Sequence, residues 1–238
     1  MTYDFDTPVD RSGTYSLKWE EAGDALPMWV ADMEFQTAPQ IRAALQQRLD
    51  HGIFGYSIVP PEWNQTYVDW WRRRHNLDID PESLVFCTGV VPAISSMVRK
   101  LTTANENVLI QTPVYNIFFN SIINNGCRVL ESPLAYDGSG HYSINWADLE
   151  SKLADPQTTL MILCNPHNPV GRIWDRDTLA RIGELCWNNH VTVISDEIHC
   201  DLTDPGYDYV PFASVNEQCA MNSVTCMAPT KTFNIAGL

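Results

Sequence analysis

From about residue 83 the sequence alternates between short apolar runs and amphipathic stretches of helical length, separated by polar or glycine-containing turns. Several runs are continuously apolar, which is typical of strands that are covered on both faces. Strands that alternate with helices predict a mostly parallel sheet between two helical layers. We therefore predict a three-layer α/β/α domain with strands at 84–87, 108–110, 128–130, 160–164, 191–194 and 223–226, and with helices at 92–102, 115–125 and 175–189.

The first 80 residues have a different pattern, with an extended start that carries proline and tryptophan. We predict helices near 38–50 and 61–75, with a tight turn at His51-Gly52 between them. This part is interpreted as a second layer or an interface.

Charge and composition restrict the class of partner. The 238 residues are 45% hydrophobic and carry a formal net charge of −14, which argues against nucleic acid and anionic membranes and favours a small-molecule partner. Seven cysteines are scattered singly without a C-x-x-C pair, as expected for reduced core residues. Neither a signal peptide nor a run of membrane-spanning length is recognisable, so we predict a cytoplasmic protein.

Ligands bind at the carboxyl ends of strands in open parallel sheets, so the residues that follow each predicted strand are candidates for function. Gly89, Val90 and Val91 precede a helix that starts with a proline, and free N–H groups there suit a phosphate. A plain strand-to-helix turn explains the same residues. Further along, Asn168 lies in a loop with two Asn-Pro pairs, for which turn chemistry alone is also sufficient.

Two further strands end in ionisable groups. Asp196 and His199 follow the strand at 191–194. A metal site formed with Asp201 is conceivable, but the spacing of these residues matches no closed zinc site. The ordinary explanation is that they are solvated or capping groups. Lys231 follows the last strand among apolar and hydroxyl residues, and lysine is rarely buried without a function, although a surface lysine remains open. We expect these groups at one edge of the sheet. An anion-binding loop, an amide, a carboxylate and an amine in combination indicate a functional site more specifically than any one of them does.

These blocks resemble the aspartate aminotransferase superfamily of pyridoxal 5'-phosphate (PLP) enzymes, fold type I, aminotransferase classes I and II. The matching blocks, in family order, are Asn168-Pro169-x-Gly171, Asp196-Glu197-Ile198-His199 and Thr230-Lys231-Thr232-Phe233-Asn234. Within the superfamily, the segments Pro27–Met33, Gly55-Tyr56 and Thr88–Pro92 are similar to the carbon–sulfur lyase branch, the cystathionine β-lyases.

The resemblance implies PLP as cofactor and assigns roles to the matching residues. Lys231 would hold the cofactor covalently and move the substrate's α-proton, and Asp196 would keep the pyridine nitrogen protonated. Tyr115 would stack on the ring, Asn168 would donate to its phenolic oxygen, and His199 would support the ring from further away. The phosphate would be held by backbone N–H groups and one hydroxyl, from Gly89, Val90, Val91 and Thr230. The chain departs from the aminotransferase pattern at Ala228, where a serine hydroxyl usually meets the phosphate.

The resemblance also implies an assembly and a reaction. Tyr56 would reach the phosphate of a neighbouring subunit, which predicts a homodimer with shared sites. The predicted reaction is β-elimination from cysteine-type amino acids such as cystathionine, giving a thiol, pyruvate and ammonia. A PLP aminotransferase uses the same shared residues, and a non-catalytic regulatory module could keep the fold.

The predicted organisation is a small-domain segment with the substrate mouth at 1–50 and a PLP-binding large domain at 51–238. Family members are longer, so we expect a C-terminally truncated chain that lacks the arginine for the substrate carboxylate. Incomplete catalysis and poor solubility are the expected consequences.

Overall fold

The computed structural model describes residues 3–238, which form two compact units. The first, here called the N-terminal unit, contains the described residues up to Ile58 together with Pro229–Leu238, and the second, the sheet unit, spans Val59–Ala228. The contacts thus divide the chain at Ile58/Val59, whereas the sequence suggested 50/51. The assignment of 1–50 to a small domain and of 51–238 to a PLP-binding large domain stays a prediction.

The sheet unit alternates strands and helices as its sequence pattern predicts. In chain order its regular elements are α3 (Pro61–His75), a 3₁₀ turn (Pro81–Ser83), α4 (Val90–Leu101), β1 (Asn107–Ile110), α5 (Ile117–Ile123), β2 (Arg128–Glu131), β3 (Ala135–Tyr136), β4 (Tyr142–Ser143), α6 (Trp146–Leu153), β5 (Thr158–Cys164), α7 (Arg176–Asn188), β6 (Thr192–Asp196), a 3₁₀ turn (Phe212–Ser214), α8 (Glu217–Met221) and β7 (Ser223–Cys226). Helix α7 begins where the Asp175 carboxylate accepts a hydrogen bond from the N–H of Thr178 at 2.7 Å.

Five strands form a parallel sheet in the order β2-β1-β5-β6-β7. Successive residues of a strand point to opposite faces, so Leu109 packs in one buried cluster while Val108 and Ile110 pack in the other. The sheet is therefore covered on both sides, which explains its continuously apolar strands. The predicted α/β fold with a mostly parallel sheet is confirmed.

The predicted strand at 84–87 is wrong, because these residues are in no strand. Val85 is 80% exposed, and Phe86 packs edge-on against Trp63 at 5.6 Å between ring centroids. A strand needs a hydrogen-bonding neighbour, and within residues 3–238 the sheet ends at β7 on one side and β2 on the other. The other five predicted strands and all five predicted helices are present, with ends shifted by a few residues.

The N-terminal unit contains α1 (Leu17–Glu20), α2 (Pro39–His51) and α9 (Pro229–Thr232). Helix α2 ends at Gly52, whose φ of 74° fits the predicted tight turn. An ion-pair cluster organises the extended segment before α2: the guanidinium of Arg11 lies 2.6 Å from Asp32, and Lys18 lies 2.6 Å from Glu34. None of the helices within residues 3–238 combines the length and apolar character that crossing a bilayer requires.

Candidate active site at the carboxyl edge of the sheet

The strand order places a topological switch point between β1 and β5. The chain leaves β1 towards β2 on one side, whereas β5, β6 and β7 follow on the other. In open α/β sheets the crevice at such a point, outside the carboxyl ends of the strands, is where ligands bind. The loops that leave β1 and β5 carry Tyr115 and Asn168, two of the predicted site residues.

Asp196 is the last residue of β6 and is only 5% exposed. One of its carboxylate oxygens accepts a hydrogen bond from the N–H of Ile198 at 3.2 Å. Its strand neighbours are Cys164 and Cys226, and burial first, then the charge of Asp196, raises the pKa of both thiols. A buried carboxylate among apolar neutral groups is suited to a cationic or protonated ligand atom.

Tyr115 lies in the loop between β1 and α5, with its ring at right angles to that of Phe118 (5.8 Å between centroids). Burial raises the pKa of its hydroxyl, and the negative charge of Asp196 raises it further. The structure therefore brings Tyr115 into the electrostatic range of Asp196. Their predicted roles in one cofactor site stay predictions.

The amino end of α4 carries the three predicted phosphate-binding residues. Gly89 precedes the helix with φ of 154° and provides no side-chain cap for the N–H groups of Val90 and Val91. Val90 belongs to the same buried cluster against which Tyr115 packs, so this helix end is on the Tyr115 side of the sheet. Free amides and the positive helix end suit an anion.

Asn168 and His199 line one depression of about 250 Å³ at the carboxyl edge. The backbone N–H of Asn168 donates to the Cys164 sulfur at 3.4 Å, which holds the loop against the end of β5. The predicted contacts of Asn168 and His199 with a cofactor stay predictions.

Two buried residues in this region were missed by the sequence reasoning. Glu197 is fully buried and accepts hydrogen bonds from Ser195 Oγ (2.7 Å), the Phe212 N–H (3.0 Å) and the Tyr209 hydroxyl. Burial raises the pKa of Glu197, and these hydrogen bonds oppose that rise. The second residue, His167, is 2% exposed. Glu197 directly follows β6, whose last residue is Asp196, and its hydrogen-bond partners lie outside that strand except for Ser195.

Lys231, Thr230 and Tyr56 belong to the N-terminal unit. Lys231 lies in α9 and is partly buried. The residue that fixes this block locally is Asn234, which has φ of 54°, accepts from the Met33 N–H at 2.9 Å and donates to the carbonyls of Met33 and Phe35. Tyr56 is fully exposed. The predicted roles of Lys231, Thr230 and Tyr56 in one cofactor site stay predictions.

The side chains within residues 3–238 that come close enough to share a metal ion are His75, Cys200 and Asp201. Asp196 and His199, which the sequence suggested beside Asp201, are not in this group. Asp201 accepts hydrogen bonds from three side chains of helix α3, at 3.1 to 3.4 Å, namely Trp70, Arg74 and His75. These contacts fasten α3 to the segment after β6.

Several known proteins are similar to this chain in sequence and in structure. The chain is 48% identical over 240 residues to cystathionine β-lyase PatB of Bacillus subtilis, an alignment that covers 98% of this chain and 62% of PatB. A PLP-bound putative aminotransferase from Clostridium difficile superposes with a TM-score of 0.95 at 46% identity, and PLP-containing cystalysin from Treponema denticola with 0.94 at 39% identity. Each superposition covers 100% of this chain and 62% of the other.

The chain thus spans about 62% of the length of these relatives. The predicted similarity to the carbon–sulfur lyase branch is confirmed by the match to cystathionine β-lyase PatB. The family model of class I and II aminotransferases matches residues 27–238, so the chain belongs to the aminotransferase class I and II family.

Proposed function

We propose that this protein is a PLP-dependent carbon–sulfur lyase. Its reaction converts a cysteine-type thioether, R–S–CH₂–CH(NH₃⁺)–COO⁻, and water into the thiol RSH, pyruvate and ammonium. The observation that carries the proposal is the nearly buried Asp196 carboxylate, whose charge reaches the Tyr115 ring, in a chain 48% identical to cystathionine β-lyase PatB.

The residues of the sheet unit fit this cofactor. The amino end of α4 has free amides and no side-chain cap, as a phosphate requires, and Tyr115 presents an aromatic face. Asp196 has the burial and charge that would hold a proton on a pyridine nitrogen. When bound, PLP supplies an electron sink for the bonds at the substrate's α-carbon.

The residues of the chain then have separate tasks. The Lys231 amine would remove the α-proton and hold it at Nζ, and the Asp196 carboxylate would compensate positive charge at the ring nitrogen. A thiolate leaves from the β-carbon and takes up a proton. Asn168 and Tyr115 would orient the ring so that the α-proton faces the lysine.

We further propose that the enzyme is a cytoplasmic homodimer. In support, the segment 53–59 places Ile53, Phe54, Tyr56 and Ile58 at the surface, at 66% exposure or more, as for a segment that a second copy covers. The free cysteines, most of them buried, suit a reducing compartment. Sedimentation velocity tests the dimer, and cell fractionation tests the compartment.

The catalytic test is pyruvate release from L-cystathionine by the PLP-supplied protein at the full length of its relatives, of which this chain spans 62%. We expect activity in that wild type and in Lys100→Ala, which changes an exposed lysine of α4, and none in Lys231→Ala. Borohydride reduction followed by peptide mass analysis should place the cofactor on Lys231. A protein that binds PLP but releases no pyruvate would refute the lyase assignment.

A second candidate is an aminotransferase, favoured by the 46% identity to the PLP-bound putative aminotransferase. Its signature is amino transfer that depends on an added 2-oxo acid. Pyruvate release without any acceptor distinguishes the lyase from this alternative.

A further inference from the structure

Two loops of the predicted site are joined by one buried imidazole. The ring nitrogen Nε2 of His167 lies 3.0 Å from the backbone carbonyl oxygen of Pro113. Pro113 is two residues before Tyr115, and His167 directly precedes Asn168. This contact bridges the two sides of the switch point between β1 and β5.

The hydrogen bond to Pro113 determines which nitrogen of the His167 ring carries the proton. A carbonyl oxygen only accepts hydrogen bonds, so Nε2 must carry the proton. Burial holds the pKa of His167 down at about 4, although hydrogen bonding to the backbone of Pro113 and of Gln111 favours the charged ring. At neutral pH the imidazole is therefore neutral, with its proton on Nε2 towards Pro113.

The backbone and ring of His167 are also fixed from the other side. Its N–H donates to the Arg172 carbonyl at 2.7 Å, and its carbonyl accepts from the Gly171 N–H at 2.9 Å. The ring lies edge-on to Trp174, with 5.7 Å between centroids. The Trp174 indole N–H in turn donates to the carbonyl of Cys164, the last residue of β5, at 3.2 Å. His167 is thus connected to the sheet through Trp174, and the Tyr115 loop is connected to His167 through the Pro113 carbonyl.

We propose that His167 is a positioning residue, which holds the Tyr115 loop in register with Asn168 so that both can meet one cofactor ring. This inference rests on the proposed PLP site but concerns a residue outside the predicted cofactor contacts. Without the Nε2–H donor, the Pro113 carbonyl loses its partner and the Tyr115 loop loses its link to the β5 loop.

The test compares two substitutions that separate the donor from the ring. His167→Phe keeps an aromatic ring against Trp174 but removes the donor, and His167→Gln keeps an N–H donor of similar reach. His141→Phe, an exposed position between β3 and β4, is the matched control. Deuterium uptake of residues 111–118 is measured without PLP. We expect faster uptake in His167→Phe than in the other two proteins and the wild type.

The second measurement is PLP affinity by fluorescence titration. We expect about tenfold weaker binding in His167→Phe, the factor that corresponds to about 1.4 kcal/mol, and near wild-type binding in His167→Gln. Unchanged uptake at 111–118 together with unchanged affinity in His167→Phe overturns the proposal. If no protein binds PLP while uptake still responds, the proposed function is wrong and the loop link is right.

A third measurement needs no variant, in case His167→Phe does not fold. Nitrogen-15 spectra of the wild-type imidazole at neutral pH report which ring nitrogen carries the proton. Protonation at Nε2 alone supports the proposal. Protonation at Nδ1 removes the donor to Pro113 and refutes it.

Discussion

For Gly183 in helix α7, the expected effect of an alanine substitution on stability is opposite to the general rule for glycine in a helix. Replacing glycine by alanine inside a helix ordinarily stabilises it by about 1 kcal/mol. Gly183, however, is buried, and a Cβ atom there would overlap the Cys219 sulfur of α8 and lie 3.5 Å from the Phe212 ring. We therefore expect Gly183→Ala to destabilise the protein.

The magnitude follows from two opposing terms. Overpacking a tight core costs about 1–3 kcal/mol, and Cys219, which is 1% exposed, belongs to a buried core cluster. Subtracting the helix gain of about 1 kcal/mol leaves a net loss of about 0–2 kcal/mol. Removing the sulfur with Cys219→Ala costs about 1 kcal/mol by itself, but it opens the space that the new methyl group needs.

The assay is a double-mutant cycle measured by urea unfolding. In the Cys219→Ala background we expect Gly183→Ala to stabilise by about 1 kcal/mol, which gives a coupling free energy of about 1–3 kcal/mol between the two positions. Cys226→Ala is the matched control, because Cys226 is a buried cysteine of the other core cluster and its effect should add to that of Gly183→Ala. Stabilisation by Gly183→Ala alone, or additivity with Cys219→Ala, would refute the packing argument.

Three further outcomes are expected. The pKa of His167, about 4 in the folded protein against about 6.5 unfolded, makes the unfolded state bind more protons between these values. About 3 kcal/mol of the free energy of unfolding, present above pH 6.5, should therefore be lost as pH falls to 4. Urea unfolding of His167→Gln at several pH values should not show this loss. Glu197→Leu removes the buried acceptor for three donors and should lower the free energy of unfolding by about 2–3 kcal/mol. Tyr209→Phe leaves the other two hydrogen bonds to Glu197 in place, so it should lower the free energy of unfolding by less in the same assay. Asn234→Gly keeps the backbone conformation at φ of 54° but removes the hydrogen bonds to Met33 and Phe35. We therefore expect Lys231 to react faster with an amine reagent than in wild type, which peptide mass analysis measures. An unchanged rate would contradict this local role of Asn234.

The parallel sheet could be predicted because its strands are apolar on both faces and alternate with helices. That pattern is a local property of the chain, and it located β1, β5, β6 and β7 to within a few residues. The segment 84–87 has the same apolar character but no hydrogen-bonding neighbour, and strand pairing is a non-local property that one segment cannot reveal. The short β3–β4 hairpin and α6 were missed because neither has a long periodic pattern.

The candidate site shows the same limit. Asp196, Tyr115 and Asn168 could be named because they follow strands and match a family motif. His167 and Asn234 lie inside those motifs, but their importance comes from partners far away in sequence, the Pro113 carbonyl and the Met33–Phe35 backbone. Hydrogen bonds between a side chain and a distant backbone group leave no mark in residue spacing, so the supporting contacts became visible only in the structure.

The adjacent acids Asp196 and Glu197 illustrate how one strand end serves two purposes. Asp196 lies beside Cys164 and Cys226, which pack in the cluster against which Tyr115 also lies. Glu197 accepts from the N–H of Phe212, a residue of the opposite cluster. Although Glu197 directly follows the last residue of β6, its hydrogen bond to Phe212 connects it to the cluster on the opposite side of the sheet from Asp196.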